Sequence, residues 1–290
     1  MSKIAILTDS SCDIPQEMAE KYGIDIMSFH ILLDDVDYVE RESCTNTEFY
    51  DKMRLSKGVP STAAITPIQF CEKYCQYVDE GYTDVIHVPI NKSGSSTYNN
   101  ALMAQGMLRE ERPEHHLKIH LLDPHTYSMV FGWYLCEMAR KLQNGAEISH
   151  VIREFEKQMN CMEIILGPYS LRQMKKSGRI SAAAAVMGEL MGIRPIITLI
   201  DGKTKVEAKV RGDEKVVSAM VELCKKRSEG VEDFDYMIGH TNIRQAEDLE
   251  KACRKAFGKP PLIVFELGGV VSANTGPDTV ALVYTGHPRG

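Results

Sequence analysis

The chain has 290 residues, of which 43% are hydrophobic and 26% are charged, a balance typical of one large or two modest globular domains with a substantial core. The formal net charge of -6 argues against a general nucleic-acid-binding protein, because such proteins neutralise phosphates with Lys and Arg. The uncharged apolar stretch 180–188 is far shorter than a membrane span, and the N-terminal residues lack a signal-peptide pattern. We therefore expect a cytoplasmic protein without an integral membrane segment.

The eight cysteines are spread along the chain without a C-x-x-C pair. Only Cys71 and Cys75, four residues apart, share one face of a predicted helix. We therefore expect free thiols in reducing surroundings, with neither a disulfide framework nor a zinc site. The nine histidines show no metal-ligand spacing, so the sequence predicts neither a bound metal nor a cofactor.

Strands alternate with helices in the first half of the chain. A proline at position 15 suits the first turn of a helix, with Asp13 as its cap. The predicted elements are strand 3–7, helix 15–22, strand 26–33, a polar segment 34–46, a helix from about 47, loop 57–66, helix 67–78, strand 83–90, a helix to about 112, strand 118–122 and a further helix. This alternation predicts a parallel sheet, and the loops after its first, third and fourth strands should share the edge at which such sheets bind ligands.

The turn at residues 91–101 (NKSGSSTYNNA) follows the apolar run 83–90 and precedes a helical pattern. The first amides of a helix have no intrahelical partner and lie at the positive end of the helix dipole. The segment from Ser93 to Thr97 could therefore present amides and hydroxyl groups to a carboxylate or a phosphate. An ordinary helix N-cap with additional serines would account for the same residues.

The second half shows a different order of elements, which predicts a second α/β lobe with a mixed sheet. We place the boundary near Met159, so that the lobes are residues 1–159 and 160–290. An Asp-Gly pair between two β-rich runs predicts a hairpin. The predicted elements are helix 148–159, strand 163–166, a basic segment 172–179, a small-residue run 180–188, hairpin strands 193–200 and 203–210, helix 213–229, strand 236–240, helix 243–257 and strands 261–266 and 279–284.

Four separated segments together resemble the DegV family, and they cover nearly the whole chain as one domain, about 3–288. The segment ILTDSSCDIP resembles the family's opening T-D-S-x-x-D-(I/L)-P, and SGSSTYNNA is similar to its S-G-T-Y-x-S-A motif. SGRISAAAAVMGELMGIRPII resembles the G-R-I-S…L-x-I-K-P-I signature, and TGPDTVALVY resembles the closing T-G-P-G-x-x-x-L. Their common order makes the resemblance specific.

The resemblance implies a two-lobed, non-catalytic carrier that binds a long-chain fatty acid such as palmitate. The carboxylate would lie near the lobe junction and the acyl chain in an apolar tunnel, for which 180–200, Val270, Val271 and 280–283 offer a lining. It also implies a partner, the catalytic subunit of a fatty acid kinase, which would phosphorylate the presented carboxyl group. Lipid transport and fatty acid metabolism are the corresponding cellular roles.

The resemblance assigns the carboxylate-binding residues position by position. Thr62 and Ser95 match the family's head-group hydroxyls, and Ser96 stands where the family has a glycine after the motif serine. Asn274 replaces a usual histidine, so this position can donate a hydrogen bond but cannot carry a positive charge. Residues 62–65 (TAAI) also depart from the family's T-S-Q-P.

Two arginines, Arg179 and Arg211, match family arginines thought to face the kinase or the phosphorylated head group. The planar guanidinium suits this role because it pairs bidentately with carboxylate or phosphate. A solvated surface charge would explain either residue equally simply.

Three other functions compete with the carrier. A serine hydrolase would combine Ser95 with His87 or His240, but the sequence lacks G-x-S-x-G. A phosphotransferase would need clustered carboxylates, for which Asp9 and Asp13 are the early candidates; Asp9 is better explained as an acceptor of loop hydrogen bonds. A regulatory protein that responds to a lipid would have the same sequence.

Overall fold

The computed structural model describes residues 3–178 and 192–289. The strands of this part of the chain are β1 (Ile4–Asp9), β2 (Ile24–Met27), β3 (His30–Leu33), β4 (Val36–Val39), β5 (Ser61–Ala63), β6 (Asp84–Val88), β7 (Lys118–Leu121), β8 (Met162–Pro168), β9 (Ile193–Ile200), β10 (Lys203–Arg211), β11 (Tyr236–His240), β12 (Val264–Glu266) and β13 (Thr279–Thr285).

The α-helices of the same residues are α1 (Gln16–Tyr22), α2 (Asn46–Leu55), α3 (Pro67–Asp79), α4 (Thr97–Glu111), α5 (Met129–Gln143), α6 (Ile148–Met159), α7 (Arg172–Ser177), α8 (Val216–Arg227), α9 (Ile243–Phe257) and α10 (Gly269–Thr275). Within residues 3–178 and 192–289, every helix is too short or too polar to cross a lipid bilayer.

The backbone divides into two compact units, of which the first comprises Met1–His30 and Ala63–Glu156. Its sheet has the strand order β2-β1-β6-β7, and all three pairings are parallel. Every residue of β6 is buried, as expected of a strand that is covered on both faces of a parallel sheet. The predicted parallel α/β architecture is therefore confirmed for this unit.

The predicted strand 26–33 is wrong in its bounds, because the chain forms two strands that belong to different sheets. β2 pairs with β1 in the parallel sheet, whereas β3 lies in a three-stranded sheet of order β4-β3-β5. Between them, the amide of Phe29 donates to the hydroxyl group of Ser10 at 3.0 Å. This side-chain contact fixes the chain between β2 and β3 to the loop that follows β1.

The expectation that Asp13 caps the first helix is also wrong. Helix α1 begins at Gln16, and the residue at its N-cap is Pro15, which makes no side-chain capping bond. Asp13 instead ends a short 3-10 turn in the left-handed conformation, with φ of 53°. Its carboxylate accepts a hydrogen bond from the hydroxyl group of Ser128, 115 residues later in the chain.

The second unit comprises Ile31–Thr62 and Lys157–Gly290, and its large sheet has the order β10-β9-β8-β13-β11-β12. The β11–β12 pair is parallel and the others are antiparallel, so the predicted mixed sheet is confirmed. The predicted hairpin is confirmed as well: Asp201 and Gly202 have φ of 49° and 71°, which is the geometry of a type I′ turn.

Residues 31–62 group with the second unit, although the lobe expected from the sequence ran from 1 to 159. The reason is visible in two polar contacts between distant parts of the chain. The Tyr50 hydroxyl group donates to the Leu267 carbonyl oxygen, and Glu40 Oε1 accepts the Val270 amide at 2.8 Å. These contacts connect α2 and the small sheet to the chain around α10.

Candidate functional site

The loops at the carboxyl ends of β1 and β6 are joined by a buried carboxylate. Asp9 is fully buried; its Oδ2 accepts the amide of Ile90 at 2.7 Å, and its Oδ1 accepts the amide of Ser11 at 3.1 Å. The prediction that Asp9 accepts loop hydrogen bonds is therefore confirmed. In this arrangement the carboxylate connects the loops that follow β1 and β6.

The loop after β7 meets the same edge. Lys92 Nζ lies 3.3 Å from Asp123 Oδ2, and the other carboxylate oxygen accepts the amide of His125 at 3.0 Å. The side chain of Asp123 is only 6% exposed. The loops after the first, third and fourth predicted strands thus share one edge, as the alternating pattern indicated.

The serine-rich turn after β6 is built from side chains that bond to residues two positions further along. Asn91 Oδ1 accepts both the amide of Ser93, at 2.9 Å, and its hydroxyl group, at 3.0 Å. This arrangement is an Asx turn, in which a side chain replaces a backbone acceptor. The backbone then passes Gly94, where a Cβ atom would overlap the hydroxyl group of Tyr127.

Ser95 occupies the start of α4 in a way that leaves it able to donate. Its Oγ accepts the amide of Thr97 at 3.2 Å and lies 2.8 Å from Thr97 Oγ1. Thr97 is fully buried, whereas Ser95 is partly exposed. When Thr97 donates in this hydroxyl pair, the Ser95 O–H is available to an anion. Ser96 is exposed at the N-cap position and makes no side-chain capping bond.

Thr62 and Asn274 belong to the second unit. Thr62 is partly buried on the short strand β5, in a segment expected to be a loop. Asn274 lies on α10, a helix that sequence reasoning missed, and its Nδ2 donates to the Val270 carbonyl oxygen at 2.8 Å. One hydrogen of the Asn274 amide is therefore used within the helix, and its second hydrogen is the one that could contact a ligand.

The segment that leads into β5 is held by one arginine. Arg172 donates from Nη1 to the Ser56 carbonyl oxygen at 2.8 Å and from Nη2 to the Gly58 carbonyl oxygen at 2.8 Å. A guanidinium group can serve several acceptors at once because its five N–H groups are fixed in one plane. This contact connects the chain before Thr62 to the start of α7.

Of the two arginines expected to face a partner or a phosphate, only Arg211 lies among the described residues. Arg211 is exposed at the end of β10, where it pairs with Ile193. Arg179 and the small-residue run 180–188 lie outside the described residues. Among the other residues expected to line a tunnel, Val280 and Leu282 belong to the hydrophobic core of the second unit.

Two residues that a serine hydrolase would use, His87 and Ser95, form hydrogen bonds to other side chains. His87 is fully buried, and its Nδ1 lies 2.7 Å from the Tyr74 hydroxyl oxygen, while Ser95 bonds to Thr97. Burial lowers the pKa of His87 to about 3 and also lowers the pKa of His240. A histidine that resists protonation in this way is poorly suited to act as a general base at neutral pH.

One grouping of potential ligands escaped sequence reasoning. Cys71 and Cys75 lie on one face of α3, as expected. The structure also places Glu111, the last residue of α4, beside them. The separation of 36 residues between Cys75 and Glu111 gives no local pattern. Only the packing of α3 against α4 could have revealed it.

Comparison with known proteins supports the family resemblance. Residues 3–286 match the model of a family described as an uncharacterised protein family, DegV. A DegV domain-containing protein from Clostridium perfringens is 28% identical over 98% of this chain and 99% of the relative. Another from Staphylococcus aureus is 27% identical, over 98% of each chain.

Solved structures agree over the whole fold. A fatty acid binding DegV family protein from Streptococcus agalactiae is similar with a TM-score of 0.85 at 26% identity, over 99% of this chain and 100% of that one. A stearic acid-binding protein from Eubacterium ventriosum has a TM-score of 0.89 at 22% identity, over 98% of both chains. The order of the motifs, the two α/β units and the family match together show that the chain belongs to the DegV family.

Proposed function

We propose that this protein binds a long-chain fatty acid and does not transform it. The observation that carries the proposal is the turn at the start of α4, where the partly exposed Ser95 hydroxyl group adjoins the first amides of the helix. These groups suit a carboxylate, because the helix dipole and the amides of the first turn that lack an intrahelical partner both favour negative charge. Similar structures of DegV proteins described as fatty acid binding support this choice of ligand.

In the proposed complex, the Ser95 and Thr62 hydroxyl groups donate to the carboxylate. The amide of Ser96 and the second amide hydrogen of Asn274 supply further donors. Because a hydrogen bond to a charged group contributes about 1.5–3 kcal/mol, loss of one donor should weaken binding by roughly 10- to 200-fold. No group in this set needs to be activated, which fits a carrier.

The hydrocarbon chain supplies most of the binding free energy. About 0.8 kcal/mol is gained per buried methylene, so a chain of about fifteen methylenes gains on the order of 12 kcal/mol before the cost of lost freedom. The head-group contacts then serve mainly to orient the ligand. This division of roles predicts that affinity depends on chain length more strongly than on any single hydroxyl group.

The finer part of the proposal is presentation to a kinase. The bound carboxyl group would be offered to the catalytic subunit of a fatty acid kinase, with Arg211 and Arg179 facing that partner or the phosphorylated head group. The exposure of Arg211 is compatible with a contact of this kind. An ATP-dependent assay for acyl phosphate, with the loaded protein and the kinase subunit, tests this step. Lipid binding without acyl phosphate would favour a regulatory protein.

The test of binding starts from the purified full-length protein. Denaturing mass spectrometry should find a stoichiometric fatty acid, and an emptied preparation should bind added palmitate. Ser95→Ala and Thr62→Ala should each weaken binding. Two matched controls lie beside them: Ser93→Ala, whose hydroxyl group bonds to Asn91, and Ser61→Ala, since neighbouring residues of a strand point to opposite faces.

Three results would overturn the proposal. The first is a protein that is empty on purification and also fails to bind added fatty acids. The second is an equal loss of affinity in the Ser93 and Ser61 controls, which would assign the effect to folding. The third is turnover of acyl esters with loss of the retained ligand, which would indicate a hydrolase.

A further inference from the structure

Two cysteines and a glutamate of the first unit bring their ligand atoms within 4.8 Å of one another. Cys71 and Cys75 are one helical turn apart on α3 and therefore lie on the same face. Glu111 approaches from the end of α4, with Oε2 at 3.6 Å from Cys75 Sγ. A tetrahedral zinc ion would hold a sulfur and an oxygen ligand about 3.6 Å apart, given the usual Zn–S and Zn–O bond lengths.

We propose that Cys71, Cys75 and Glu111 bind one thiophilic divalent cation of the Zn²⁺ or Cd²⁺ type. The two sulfur ligands favour such ions over Mg²⁺, Ca²⁺ and Mn²⁺, which prefer oxygen. Three protein ligands leave the fourth tetrahedral position to water. The site is separate from the serine turn, so it does not depend on the proposed fatty acid binding.

The surroundings allow an ion to enter. Cys71 and Cys75 are 1% and 9% exposed, whereas Glu111 is exposed, so an ion would reach the sulfur atoms from the glutamate side. Burial raises the pKa of both thiols, to about 12 for Cys71, and the ion must therefore displace their protons on binding.

The same geometry has a simpler explanation. The Cys75 thiol donates a hydrogen bond to the Glu111 carboxylate across 3.6 Å, and Cys71 is a buried residue of the core. The two explanations differ in what the cysteines do when a metal ion is offered. Cadmium is a suitable probe, because a cadmium–thiolate bond absorbs in the ultraviolet and reports sulfur ligation directly.

The first experiment titrates the full-length protein with Cd²⁺ in a non-thiol reductant. We expect one ion per chain, together with the charge-transfer absorbance of two thiolate ligands. Cys75→Ser should abolish that absorbance, and Glu111→Gln should weaken binding by at least about tenfold, a loss of the size seen when groups that support a metal site are altered. Cys44→Ser is the matched control, because Cys44 is a partly exposed thiol of the second unit, and it should bind Cd²⁺ as the unaltered protein does.

The second experiment needs no substitution and therefore stands even if a variant fails to fold. Native protein is alkylated with and without Cd²⁺ for long enough that local opening exposes the buried thiols, and the modified cysteines are identified by mass spectrometry. The ion should protect Cys71 and Cys75 and leave Cys44 reactive. Absence of both the thiolate absorbance and the protection, or their loss in Cys44→Ser, would overturn the proposal and leave a hydrogen-bonded thiol.

Discussion

Two polar regions of the molecule satisfy their hydrogen bonds in opposite ways. In the turn after β6, Asn91 bonds to Ser93 and Ser95 bonds to Thr97, each two residues further along. In the second unit, the buried Glu163 accepts bonds from side chains 64 and 121 residues away, those of Arg227 and Tyr284. The turn can therefore form as soon as its own residues are in place, whereas the carboxylate gains its partners only when β8, α8 and β13 have come together.

The difference has an energetic consequence. A partly exposed turn can exchange one of its bonds for a ligand or for water at little cost, which suits a binding loop. A buried carboxylate cannot be replaced by water in this way. If it is removed, its partners stay buried and lose the charge that compensated them. Substitutions in the two regions should therefore differ in both size and kind.

The largest effect is expected from Glu163→Gln. Arg227 donates to both carboxylate oxygens, at 2.7 and 3.2 Å, and the carboxylate side chain is only 9% exposed. The amide would leave the guanidinium charge with only the more distant carboxylate of Glu207, at 3.8 Å. The free energy of unfolding should therefore fall by about 3 kcal/mol, the low end for a broken buried pair, since Arg227 is 30% exposed. Urea unfolding followed by circular dichroism measures this change.

The matched control is Glu250→Gln, which removes another carboxylate paired with an arginine. Arg254 Nη2 lies 2.6 Å from Glu250 Oε1, but this pair is an i,i+4 contact in which the arginine is 52% exposed. Such pairs contribute less than about 1 kcal/mol. Equal losses in the two variants would contradict the contrast between local and long-range polar contacts.

The second prediction concerns a buried histidine in the first unit, whose hydrogen-bond partner lies 13 residues earlier in the chain. His87 bonds to Tyr74, and burial lowers its pKa to about 3, against about 6.5 in an unfolded chain. The unfolded state therefore binds a proton at higher pH, and stability should decrease as the pH falls from about 6.5 toward 3. In this range, one such group lowers the free energy of unfolding by about 1.4 kcal/mol for each pH unit of acidification, or by about 2 kcal/mol between pH 6.5 and 5.

The measurement compares unfolding at pH 7 and at pH 5 for the unaltered protein and for His87→Gln. The glutamine keeps a side-chain partner for Tyr74 but does not titrate in this range. Carboxylates contribute equally in both proteins, so the difference between the two pH profiles isolates the histidine. Parallel profiles would show that His87 is not the group responsible.

The same contrast explains how much of the fold could be predicted from the sequence. The hairpin at Asp201 and Gly202 was predicted because its turn depends on two adjacent residues that accept positive φ. The parallel sheet followed from the alternation of apolar runs, which is also a local signal. The serine turn of the candidate site belongs to the same class, since strand, turn and helix start are contiguous there.

The elements that escaped prediction depend on distant partners. Helix α10 has the sequence GVVSANT, in which β-branched and small polar residues are weak helix formers. Its second amide, that of Val270, is bonded by Glu40, 230 residues earlier. Strand β5, which carries Thr62, has only three residues and exists because β3 pairs with it. Asp13 was misassigned for the same reason, because its partner Ser128 is remote.

A third prediction tests a long-range contact of the serine turn, the approach of Tyr127 to Gly94. An alanine Cβ at position 94 would overlap the Tyr127 hydroxyl group and lie 2.9 Å from Tyr127 Cε1, so the ring must move. Gly94→Ala should lower the free energy of unfolding by about 1–2 kcal/mol and should be rescued in part by Tyr127→Ala, with a coupling of at least about 0.5 kcal/mol. Thermal unfolding of the two single variants and the double variant measures that coupling.

The control for this substitution is Gly106→Ala, at which an added Cβ finds no atom within 4 Å. Gly106 lies inside α4, so alanine there should stabilise the protein by about 0.5–1 kcal/mol. If Gly94→Ala were also stabilising, Tyr127 would not restrict the turn.

The smallest effect separates two adjacent serines. Ser95 Oγ accepts the amide of Thr97, whereas the Ser96 side chain makes no capping bond. Ser95→Ala should therefore cost about 1 kcal/mol of stability, the usual effect of a lost capping contact, and Ser96→Ala should stay within about 0.5 kcal/mol of the unaltered protein. Differential scanning calorimetry of ligand-free samples makes the comparison free of any bound lipid. Equal costs for the two variants would mean that the bond to Thr97 does not stabilise the helix start. A cost for Ser95→Ala as large as that of Glu163→Gln would show that the turn is coupled to the rest of the fold as strongly as the contacts of Glu163 are.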